Sequence, residues 1–206
     1  MTGMILRVLN GPKLWERANP CYRGVYREEP TYCDALPADH EINRLFVDWY
    51  IELNGGSGSG IVRDLDKAVH YAKLCNRHFP GQMFEVIEVT EGEAPPRVGG
   101  QFLGFDLSQG GVASILQWGL QSEVAERKPE SPADILWKVM RLYFGPRLNE
   151  FGLFQRLDDA SLCLESMIAL QSYKPAYFEG GDLNAFHVMG VYLAWSQSDW
   201  PAGAQR

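Results

Sequence analysis

The sequence predicts an α+β fold, a single domain over residues 1–206 in which a mixed or antiparallel sheet is covered by four or five helices. Three observations predict it. Short apolar runs rich in branched side chains occur near both ends of the chain and at its centre, each closed by Gly, Pro or Asn. Between them lie segments whose apolar residues recur at three- and four-residue steps, the helical period. The composition, 46% hydrophobic, 12% aromatic and 22% charged in 206 residues, is that of a folded globular chain rather than a disordered one.

Met4-Ile5-Leu6-Arg7-Val8-Leu9 is the first strand, stopped by Asn10-Gly11-Pro12. Residues 13–39 carry Pro20, Pro30 and Pro37 with mixed charge and no apolar period, so they form a long irregular connection. A compact domain uses such a length on its surface or at a site. Trp15, Tyr22, Arg23, Tyr26 and Tyr32 fall in this stretch, and these residue types carry most interface energy, which makes them the expected partner-binding set. The competing use of the same rings is burial against the chain's own sheet.

Asp39 is placed to cap a helix over residues 40–53, with Ile42, Leu45, Phe46, Trp49 and Tyr50 on its stripe. A Gly-Ser loop over residues 55–60 leads to a second helix. There Ile61, Leu65, Ala68, Ala72, Cys75 and Phe79 form one stripe, while Arg63, Asp64, Lys67, Lys73 and Arg77 take the wet side. Residues 83–89 and 101–107 are expected strands, joined through an acidic turn as an antiparallel pair. Alternation in the second puts Leu103, Phe105 and Leu107 on one face and Phe102, Gly104, Asp106 and Ser108 on the other.

Residues 112–120 have the apolar character of a helix. Ser131-Pro132-Ala133-Asp134 is a strong helix start, because Ser caps, Pro suits the first position and the acid meets the positive end of the dipole. The helix to Phe144 carries Ile135, Leu136, Trp137, Val139, Met140, Leu142 and Tyr143 almost all round, which predicts burial. A helix over residues 158–171, a turn at Glu179-Gly180-Gly181-Asp182, a last strand over residues 186–195 and a frayed tail from about 197 complete the chain.

The charge balance, 19 Lys and Arg against 26 Asp and Glu, gives −7 and excludes an electrostatic grip on nucleic acid or on an anionic membrane. A basic protein partner fits that charge. Cys21, Cys33, Cys75 and Cys163 lie far apart without a C-x-x-C pair, so they are expected to be free thiols. No signal-peptide pattern opens the sequence and no apolar run approaches the ~20 residues that span a bilayer, so a cytoplasmic location is expected. His70, Cys75 and His78 do not converge on one helix face at ~100° per residue, and no metal site is expected. The Gly-Ser loop has Ile61-Val62 where a phosphate loop has Lys and Ser or Thr, so no cofactor is expected either.

The polar groups that could carry chemistry are Asp106 and Ser108, which share a strand face, and Glu179, Asp182 and His187, which supply two carboxylates and an imidazole. Ser108 lacks the Gly-x-Ser-x-Gly elbow of a hydrolase nucleophile, and Asp and Gly at a turn serve the backbone. Glu85 and Glu88 fall on opposite faces of their strand. Three function classes follow. The favoured one is a non-catalytic cytoplasmic protein-binding protein, of the kind in which a bacterial immunity protein or antitoxin neutralises a basic partner. The second is a small-substrate hydrolase or transferase built on Asp106 and Ser108 with Glu179, Asp182 or His187. The third is a homo-oligomeric structural subunit that packs through residues 135–144.

Overall fold

The computed structural model describes residues 3–9, 26–28, 39–41, 44, 64–78, 83–109, 113–116, 132–173 and 182–196. These contain the strands β1 (Gly3–Leu9), β2 (Tyr26–Glu28), β3 (Met83–Glu91), β4 (Gln101–Gln109), β5 (Ala113–Ser114) and β6 (His187–Trp195). They also contain the helices α1 (Leu65–His78), α2 (Pro132–Phe144) and α3 (Leu157–Tyr173). The strands form one sheet in the order β2-β1-β3-β6-β4-β5, with every neighbouring pair antiparallel, so the architecture is α+β. Among the described residues no helix is long and apolar enough to cross a membrane.

β1 pairs with β3 along its whole length, from Gly3 opposite Val89 to Leu9 opposite Met83. Its other edge takes β2, where Tyr26 stands opposite Val8. Part of the stretch expected to be irregular is therefore a strand: an edge of β1 offers unpaired backbone groups, and three residues suffice to take them up.

The expected pairing of residues 83–89 with residues 101–107 does not form. β6 lies between β3 and β4 and is antiparallel to both, so those two strands run parallel to each other. Residues 92–100 therefore carry the chain back across β6 instead of turning it through a hairpin. Two features hold the crossing. Gly92 donates its amide to Val188 O at 2.9 Å, and the carboxylate of fully buried Glu88 accepts from Arg97 N at 2.8 Å and Val98 N at 3.1 Å. Gly190 leaves room beneath, since a Cβ there would stand 2.9 Å from Gly92 O.

β4 is bulged. Phe102 stands opposite Tyr192 and Gly104 opposite Val191, leaving Leu103 as an extra residue. One added residue reverses the alternation that follows it. Phe102 is thereby separated from Asp106 and joins Phe105 and Tyr192, with ring centroids at 5.0 and 5.2 Å. On the outer side of the bulge, Phe105 and Phe154 exchange backbone hydrogen bonds at 2.7 and 2.9 Å. Asn149 secures the same place: its Nδ2 donates to Leu103 O at 2.7 Å and its Oδ1 accepts from Phe151 N and Leu153 N.

Ala113 and Ser114, expected to be helical, pair with Gln109 and Ser108 as β5, and Ile115 and Leu116 are buried directly after them. A short apolar run is compatible with strand or helix, and here the open edge of β4 decides. α1 begins at a cap formed by Asp64, whose Oδ1 accepts from Asp66 N and Lys67 N. It buries Ala68, Tyr71, Ala72, Leu74 and Cys75, and its Asn76 side chain bonds both N and O of Phe84, tying the helix to the start of β3.

α2 overturns the expectation of all-round burial. Leu136, Met140 and Phe144, spaced four residues apart, enter the core, but Ile135, Val139, Leu142 and Tyr143 are 56%, 56%, 73% and 57% exposed. The helix carries two apolar stripes and the fold covers one. α3 buries Ala160, Cys163, Leu164 and Met167 in the same core as Ile87, Val89, Met189 and Val191 of the sheet. Of the helix expected over residues 40–53, only its beginning is described, with Arg44 N donating to His40 O at 3.0 Å in helical spacing. The Gly-Ser loop, Trp118 and the tail from 197 lie outside the described residues.

Candidate functional site

The sheet register brings three of the five polar candidates to one end of the sheet. Ser108 of β4 stands directly opposite His187 of β6, and Asp106, two residues back, stands opposite Met189. On the other side of β6, Glu91 of β3 also stands opposite Met189. Residues directly paired across antiparallel strands share a face, with Cβ atoms ~4.5–5.5 Å apart. Glu91, His187, Asp106 and Ser108 thus share one face of three strands in a polar row that the buried Met189 interrupts between Glu91 and Asp106. Alternation within β4 placed Asp106 and Ser108 together, but the contribution of His187 came from the pairing of strands distant in sequence.

Solvent divides this row. Glu91 and His187 are exposed, whereas Asp106 and Ser108 are buried at 1% and 0% exposure. Asp106 Oδ1 accepts from Leu107 N at 2.7 Å, so its carboxylate is engaged with its own strand. A hydroxyl attacks only an electrophile that reaches it, and an enclosed Ser108 is not open to one. What meets solvent is an imidazole with a carboxylate nearby, groups able to exchange protons or to bind a polar ligand.

Asp182 stands apart from the row. It caps the 3-10 turn Leu183–Ala185, with Oδ1 accepting from Asn184 N at 3.0 Å and from Asn184 Nδ2 at 2.7 Å. The backbone bond from Asn184 comes first, with its side-chain bond second, in holding this carboxyl below its ordinary range. Such a group contributes stability above its unfolded pKa, and that contribution is lost as pH falls through the lower folded value. A side-chain carboxyl titration followed by NMR is expected to place Asp182 below the ordinary 3.8; a midpoint at or above that value would remove the cap from solution. Glu179 lies outside the described residues.

Of the expected partner-binding set, Tyr26 lies in β2, and Trp15, Tyr22, Arg23 and Tyr32 lie outside the described residues. Glu85 and Glu88 are both buried, and Glu88 is committed to the crossing loop. His70 faces Glu41 at 3.6 Å, and among the described residues no group of three His, Cys, Asp or Glu is placed to hold a metal. Cys75 and Cys163 are buried thiols outside any disulfide. Burial pushes the Cys163 thiol up to about 12, against a smaller opposing pull from Arg147. Alkylation at pH 8 with peptide mapping is therefore expected to leave Cys163 unmodified in the native protein and to label it fully in denaturant. Equal labelling in both states would contradict this burial.

The largest feature that sequence reasoning missed is the outer stripe of α2. Its C-terminal end is braced: Arg147 pairs with Asp159 at 2.6 Å, and its guanidinium lies 4.6 Å from the Tyr143 ring centroid and 5.5 Å from that of Phe144. Tyr143 is thus both exposed and held, which lowers the ordering cost of using it in a contact. The signal was present in the sequence as a helix apolar on too many sides, but composition alone does not say how many sides a fold will cover. Comparison of the chain with models of known families, with curated proteins and with solved structures finds no match.

Proposed function

We propose that the chain is a non-catalytic protein-binding protein, a single α+β domain of the cytoplasm with four or five helices, and that it docks through the outer stripe of α2. The observation that carries this reading is the exposure of Ile135, Val139, Leu142 and Tyr143 on one helix. Exposed apolar side chains gathered on one helix face mark interaction sites. The buried thiols of Cys75 and Cys163 fit a reducing compartment.

The charge contributes less than the sequence suggested. Asp158 and Asp159 are paired with the chain's own Arg156 and Arg147, at 3.2 and 2.6 Å. Glu93, exposed in the turn after β3, is the feature that favours a basic partner of the immunity or antitoxin type.

Leu142→Glu tests the reading. At an exposed position it is expected to change folding stability by no more than ~0.5 kcal/mol, while weakening the complex at least tenfold in a titration with the partner recovered by affinity capture. A partner that binds wild type and variant equally would overturn the assignment of the stripe. Sedimentation of the purified chain separates the homo-oligomer: a dimer at micromolar concentration that Leu142→Glu dissolves makes the partner a second copy.

The second reading, a small-substrate hydrolase or transferase, rests on the exposed imidazole of His187, since Asp106 and Ser108 beside it are enclosed. Under it, His187→Ala abolishes turnover and Leu142→Glu leaves it unchanged.

A further inference from the structure

We draw no further inference here: the strongest candidate, a second copy of the chain laid across the exposed apolar stripe of α2, uses the surface on which the proposed function already rests, and nothing in the structure shows what covers that stripe.

Discussion

Gly104→Ala is expected to destabilise the protein by about 3 kcal/mol or more, from backbone strain and overpacking together. Gly104 has φ +144°, a conformation that side chains rarely adopt, and a Cβ there would stand 2.7 Å from Leu153 Cβ and 2.8 Å from Phe154 O. The obstruction includes backbone at the point where Phe105 and Phe154 exchange hydrogen bonds, so relief requires opening that bridge. For a chain of this size the thermal midpoint should fall by about 10 °C. Gly92→Ala is the control. Gly92 also has positive φ, at +55°, but nothing lies within 4 Å of its Cβ position, so only the strain of ~1 kcal/mol is expected. If thermal melts show the two variants equally stable, the close docking of residues 149–154 on the bulge is wrong.

Glu88→Gln is expected to cost about 3 kcal/mol and to loosen the crossing loop. The carboxylate is fully buried and its two oxygens accept from two successive amides, Arg97 N and Val98 N. Hydrogen bonds to a charged acceptor contribute ~1.5–3 kcal/mol each, and an unmet buried donor adds its desolvation cost. The glutamine keeps the size of the side chain but turns an NH2 group toward one of those donors, so one bond is lost and two donors face each other. Urea denaturation should show a lower midpoint, and hydrogen exchange should show faster exchange at the amides of Arg97 and Val98 than at the β3–β6 ladder. An unchanged midpoint with unchanged exchange at both amides would show that the loop does not depend on Glu88.

These two positions also mark where the sequence stops being informative. The strands around residues 4–9, 83–89, 101–107 and 186–195 were legible because short apolar runs bounded by turn-forming residues are a local signal. The start of α2 at Pro132 was legible because helix-start preferences are local. The bulge at Leu103 was not, because an extra residue matters only against a partner strand, and the partner lies far along the chain. Asn149 illustrates the same limit: its bond to Leu103 O spans 46 residues, and nothing in the asparagine or its neighbours names that acceptor.

The candidate site divides in the same way. Asp106 and Ser108 were paired by strand period, but their juxtaposition with His187 required β6 to insert between β3 and β4. Asp182 had the residue type of both a catalytic acid and a turn cap, and its bonds to Asn184 show it acting as the cap.

By itself the sequence determined an α+β chain: the positions of its main strands and helices, its net charge of −7, and the apolar residues available for a core. Those properties follow from local period, capping and composition. The tertiary structure decided the strand order, the parallel relation of β3 and β4, the burial of Glu88, Asp106 and Ser108, and which stripe of α2 remains in water. Each depends on contacts between segments distant in sequence, and a helix with apolar residues on every side states only that some face will be covered, leaving the choice to what packs against it.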